Sequence, residues 1–102
     1  YSTVFKSYST GNVKYTNGTN PIDKGFFAYG TPDDSRNNFW DKNSSQQEYS
    51  YGDYLGWVAG KTTSQMKTQG TFTSWDFSTV WAIDSSGNIN NGYPYLINNP
   101  PQ

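Results

Sequence analysis

Apolar residues in this chain come in short bursts separated by glycine, asparagine and proline. Val4-Phe5-Lys6-Ser7-Tyr8-Ser9 reads as a short β-prone run; Gly11-Asn12 breaks it and Val13-Lys14-Tyr15 resumes it. Asn17-Gly18 predicts a turn, because both residue types tolerate positive φ, and Asn20-Pro21 extends that loop. Gly25-Phe26-Phe27-Ala28-Tyr29-Gly30 is the most apolar run and predicts a buried strand bounded by glycines. Thr31-Pro32-Asp33-Asp34 predicts another turn, and Asn38-Phe39-Trp40 a short strand.

Residues 43–58 are polar and dotted with tyrosine, without a clear period, and read as a loop or insertion ending in a short strand near Val58. One helical signal follows. Thr62 or Thr63 can act as N-cap for one or two turns through Ser64-Gln65-Met66-Lys67-Thr68, and Gly70 ends them. So short a helix must dock its apolar side, through Met66 and Phe72. Thr79-Val80-Trp81-Ala82-Ile83 alternates like a strand, Asp84-Ser85-Ser86-Gly87-Asn88 reads as a turn, and Tyr93-Pro94-Tyr95-Leu96-Ile97 returns as an edge strand, since Pro94 has no N–H. The organisation expected is one β-rich domain over 1–97, made of strands in 1–42, the Tyr-rich insertion 43–58 and a helix plus hairpin in 59–97. Residues 98–102 form a linker or tail.

Composition narrows this picture. Val, Ile, Leu and Phe number only 16 of 102 residues, yet net charge is -1 and aromatic residues make up 19%. An aromatic ring buries roughly 150–250 Å², so Phe, Tyr and Trp can build the core that aliphatic side chains cannot. Ser, Thr and Asn number 34, which favours strands and turns over helix interiors. The chain lacks cysteine and histidine, so disulfides, thiolate metal sites and imidazole catalysis are absent. No basic run exists to neutralise a phosphate backbone, which argues against nucleic acid as partner, and no apolar stretch approaches the ~20 residues of a membrane span. The chain starts at Tyr1 rather than Met, as a processed product or an excised fragment would.

Several words of the sequence resemble bacterial surface proteins with GLUG-type repeats, found in filamentous-haemagglutinin-like adhesins. They are Tyr8-Ser9-Thr10-Gly11-Asn12-Val13, then Lys24-Gly25-Phe26-Phe27-Ala28-Tyr29-Gly30, and Asn37-Asn38-Phe39-Trp40-Asp41. The second half continues with Gly60-Lys61-Thr62-Thr63-Ser64-Gln65-Met66-Lys67, Thr71-Phe72, Trp75-Asp76-Phe77-Ser78-Thr79-Val80-Trp81 and Asn91-Gly92-Tyr93-Pro94-Tyr95-Leu96. The likeness spans residues 7–96. It implies a mainly β fold: the end of a β-solenoid, with one short helix and a terminal hairpin whose Trp75, Phe77, Trp81, Tyr93 and Tyr95 cover the last rung. It also implies an extracellular or cell-surface setting.

No catalytic set is legible. Asp33-Asp34 is the only adjacent acidic pair and reads as a solvated turn; Asp84 to Asn88 lacks the further acidic positions of a calcium loop; Asp76 reads as a structural cap. Gly60-Lys61-Thr62 lacks the upstream glycine of a phosphate loop. No enzyme, cofactor or metal is therefore expected. Tyr49, Tyr51, Tyr54 and Trp57 are the candidate ligand-binding residues, an aromatic platform that can stack on sugar rings or seat a protein. Two functions are open: a scaffold or capping segment of an adhesin-like solenoid, and a carbohydrate- or receptor-binding module. The partners expected are a glycan or host surface protein, and other copies of the chain through exposed strand edges.

Overall fold

A computed structural model describes residues 4–27 and 35–101. The end of the expected strand, Ala28-Tyr29-Gly30, and the turn containing Asp33-Asp34 lie outside the described residues. Three parallel strands form the larger sheet: β1 (Tyr8–Ser9), β2 (Asn38–Asp41) and β3 (Val58–Lys61), in that spatial order. Tyr8, Phe39 and Ala59 stand side by side in one row, and Ser9, Trp40 and Gly60 in the next. Successive strand residues point to opposite faces, so this register separates two environments. Phe39 enters the aromatic core, while Trp40 lies on the far face over Gly60 and Gly25. A Cβ on Gly60 would meet Trp40 Cζ2 at 2.5 Å, and a Cβ on Gly25 would collide with the same indole.

Helix α1 (Lys42–Ser45) follows β2 without a break, because Asp41 accepts the amides of Asn43 and Ser44 as its N-cap. Gln46 ends it in the left-handed conformation, φ 59°. Helix α2 (Thr63–Met66) is capped by Thr62, which exchanges hydrogen bonds with Gln65 in a capping box. Each helix has four residues and owes its place to docking. Met66, fully buried, packs with Phe39, Phe72 and Trp75, so the expected docking through Met66 and Phe72 is what forms. Rings make up most of this core. Trp75 lies 4.4 Å from Trp81 and 4.7 Å from Phe72, centroid to centroid, and Tyr8 stacks on Tyr93 at 6.1 Å. Strands β4 (Trp81–Ala82) and β5 (Tyr95–Leu96) pair antiparallel and close the core from the C-terminal side.

The expectation of a mainly β solenoid fold is overturned. The described residues form two small sheets of short strands together with two short helices and 3-10 turns at Asp53–Leu55, Gln69–Thr71 and Asn90–Gly92. The spans joining β1 to β2 and β2 to β3 are unequal, and no stack of repeating rungs develops among the described residues. The physical reason lies in the residues that flank the strands. Lys6, Asn37, Gln46, Ser74, Asn90 and Asn91 adopt positive φ, which breaks extended backbone after a few residues. Buried side chains then take over the pairing that a longer ladder would supply. Asn38 accepts the Ser7 amide and donates to the carbonyls of Val4 and Trp57. Gln47 accepts the Lys24 amide and donates to the carbonyls of Val13 and Pro21. Ser50 accepts the amides of Phe26 and Phe27, and Ser35 that of Val4. Among the described residues no buried side-chain nitrogen or oxygen lacks a partner, so this polar interior is satisfied rather than strained.

Candidate functional site

Asp41 ties the two halves of the molecule together. Its carboxylate, fully buried, accepts the Asn43 and Ser44 amides at 2.9 Å each, the Thr63 hydroxyl at 2.8 Å and the Tyr93 hydroxyl at 2.6 Å. Burial pushes its pKa up, but the hydrogen bonds from Tyr93, Ser44, Thr63 and Asn43 outweigh that and hold the carboxyl below its usual range. Burial and the neighbouring Asp41 raise the Tyr93 phenol. This is a structural node joining β2, α1, α2 and the C-terminal segment.

The face of the sheet opposite the aromatic core carries a groove of about 530 Å³. Trp40 forms its floor, fixed by the hydrogen bond from its indole N–H to the Gln47 carbonyl at 2.8 Å. The Val58–Gly60 stretch of β3 forms one side. Tyr49 and Tyr54 rise from the other, 54% and 71% exposed. Lys42 and Glu48 meet across the end in an ion pair of 2.8 Å, and Asp53 adds a carboxylate whose Oδ2 accepts the Ser50 amide. Backbone placement is set by the buried serine and glutamine. The Tyr49 amide donates to the Ile22 carbonyl at 2.8 Å, and Gly52, at φ 92°, turns the chain so that Asp53–Leu55 winds into a 3-10 turn presenting Tyr54.

Of the four expected platform residues, the structure brings Tyr49 and Tyr54 to the groove and sets the Tyr51 ring edge-on to Tyr54 at 6.1 Å. The Tyr54 hydroxyl raises the Tyr51 pKa by hydrogen bonding and by charge repulsion, with a smaller contribution from burial. Trp57 stands apart from the groove lining. A Cβ on Gly52 would lie 3.2 Å from Phe27 Cδ2 and 3.4 Å from Trp57 Cε3, so both rings close over that glycine and Trp57 packs there. Sequence reasoning missed Trp40, Lys42, Glu48 and Asp53. The signal available was Trp40 set between distant glycines, legible only once Gly25 and Gly60 are known to converge.

A second groove, about 400 Å³, lies between Tyr8, Trp81, Tyr95 and the tail at Pro100-Pro101. Its polar groups already serve one another: Tyr8 donates to the Pro94 carbonyl at 2.6 Å and Asn90 donates to both. Asp76 caps the turn at Ser78 and Thr79, and Asp84 accepts the amides of Ser86, Asn88 and Ile89, so both carboxylates are occupied by local turns. Among the described residues no group of His, Cys, Asp or Glu is arranged to hold a metal ion, and no helix is long and apolar enough to cross a membrane. No family model matches the chain, and no curated protein or solved structure matches it either.

Proposed function

We propose that this chain is a non-catalytic carbohydrate-recognition module, acting at a cell surface or outside the cell, which holds a short glycan in the groove between Tyr49, Tyr54 and β3. The observation that supports it is the pair of exposed tyrosine rings beside a groove with an ordered floor. Apolar faces of a sugar ring stack on aromatic faces, while its hydroxyls need donors and acceptors at the rim. Lys42, Glu48 and Asp53 supply those rim groups. Tyrosine does this at low entropic cost, since it has only two rotatable side-chain bonds. The capping role has less support, because the described residues do not form the solenoid end that it presumes.

A glycan array probed with the labelled protein tests the reading, with Tyr49→Ala and Tyr54→Ala as controls. Both rings are exposed, so their removal leaves the fold intact. Each change should weaken binding about 5- to 10-fold, the equivalent of ~1–1.4 kcal/mol per lost stacking contact. Failure to bind any glycan class, or binding indifferent to both changes, contradicts the proposal.

A further inference from the structure

We propose that Asn17 is a site of spontaneous covalent modification, where the side chain cyclises with the Gly18 nitrogen and reopens to aspartate and isoaspartate. The sequence has two Asn-Gly steps, Asn17-Gly18 and Asn91-Gly92. At such a step the backbone nitrogen of the glycine attacks Cγ of the asparagine. The new N–Cγ bond forms, the bond from Cγ to Nδ2 breaks, and the side-chain nitrogen leaves as ammonia with the proton that the backbone amide gives up. Water then opens the five-membered imide at either carbonyl. One product is an aspartate in the original backbone, the other an isoaspartate whose backbone runs through the side chain. Glycine favours the attack because it has no Cβ to shield its nitrogen.

The structure separates the two steps. Asn17 and Gly18 stand at the exposed tip of the loop between Val13 and Pro21. One hydrogen bond, from the Tyr15 amide to Asn20 Oδ1 at 3.0 Å, spans that tip and leaves both residues out. Among the described residues neither the Asn17 side chain nor the Gly18 amide makes a hydrogen bond, and nothing lies within 4 Å of where a Gly18 Cβ would stand. Asn91-Gly92 is held instead. The Gly92 amide donates to the Ile89 carbonyl at 3.1 Å, Gly92 is buried, and the Lys67 stem comes within 3.2 Å of its Cβ position. Asn91 sits in that 3-10 turn at φ 54°, ψ 26°. Cyclisation there must first break the turn, so it waits on local opening. The base of the Asn17 loop is fastened from outside it: Gln47 donates to the carbonyls of Val13 and Pro21 at 3.0 and 2.9 Å, and the Val13 amide donates to the Ser45 carbonyl at 3.2 Å. The tip therefore changes chemically while the loop stays anchored. Each event adds one negative charge to a chain of net charge -1.

The test uses the ligand-free chain, so its outcome is independent of the glycan reading. Folded protein is incubated at neutral and at mildly alkaline pH, digested in acid and mapped by mass spectrometry, with isoaspartate counted by enzymatic methylation. Asn17 should convert at least about fivefold faster than Asn91, the factor set by the additional hydrogen bond that must break at Gly92. Conversion should quicken at the higher pH, because the attacking nitrogen must lose its proton. In urea, where the turn at Asn91 is gone, the two sites should convert at similar rates. Gly18→Ala, which puts a methyl beside the attacking nitrogen, should slow Asn17 alone. Asn17→Asp, the mimic of one product, should leave the melting midpoint unchanged. Equal rates at the two sites in the folded protein, faster conversion of Asn91, or an Asn17 that converts only after unfolding would each overturn the proposal.

Discussion

Replacing Asp41 and Tyr93, singly and together, measures how much of the fold depends on one buried carboxylate. Tyr93 brings the C-terminal segment onto β2 through a 2.6 Å bond to Asp41, while its ring stacks on Tyr8 and lies 4.9 Å from the Lys67 ammonium. Tyr93→Phe keeps the ring and removes only the hydroxyl. A hydrogen bond to a charged acceptor contributes about 1.5–3 kcal/mol, so the expected loss is about 2 kcal/mol. Asp41→Asn keeps one oxygen for the Asn43 and Ser44 amides but loses the charge that all four donors share, for about 2–3 kcal/mol. The double variant should lose about 1–2 kcal/mol less than the sum, because each single change already breaks the shared bond. Urea unfolding at neutral pH, followed by tryptophan fluorescence, supplies the four stabilities. For a chain of this length about 1 kcal/mol moves the melting midpoint by ~4–8 °C, so Tyr93→Phe should lower it by about 8–16 °C. Additivity within about 0.3 kcal/mol would refute the node. The sign of the pH effect follows from the lowered Asp41 pKa. Its contribution is fully present above the unfolded value of about 3.9 and is lost as pH falls through the lower folded value, so acid should destabilise the native chain more than Asp41→Asn.

Gly60→Ala should destabilise by about 1–3 kcal/mol, since the new methyl meets Trp40 at 2.5 Å and the Lys42 stem at 2.8 Å; an unchanged urea midpoint would show that the indole moves freely. Gln47→Leu leaves the Lys24 amide and the Val13 and Pro21 carbonyls without their buried partner and should cost about 2–4 kcal/mol, checked by the same unfolding assay. Met66→Ala opens a cavity in the aromatic core and should cost about 2–5 kcal/mol, with loss of near-ultraviolet dichroism from Trp75 preceding global unfolding.

Local chemistry was legible in the sequence wherever a residue acts on its immediate neighbours. Thr62 caps α2, Asp76 caps its own turn, Gly18 takes positive φ after Asn17, and Met66 docks its helix, all as the residue types imply. The aromatic core answered the shortage of aliphatic residues in the same way. What could not be read was the pairing of distant backbones. Gln47 and Ser50 look like loop residues in a polar stretch, because a side chain that replaces a strand in hydrogen bonding leaves no periodicity. The expected solenoid failed for the same reason, since a resemblance carried by short words does not reveal that flanking residues end each strand after two to four positions. At the candidate site, Tyr49 and Tyr54 stood out as aromatics in a polar run. Trp57 carried the same signal yet packs over Gly52 with Phe27, a contact that brings together two distant parts of the chain.

Chemical-shift mapping during titration with an array-positive oligosaccharide tests the central claim most directly. The account predicts saturable shifts confined to Tyr49, Tyr54, Gly60 and the Trp40 indole N–H. Shifts centred instead on Tyr8, Trp81 and Tyr95 would move the site to the second groove and contradict it.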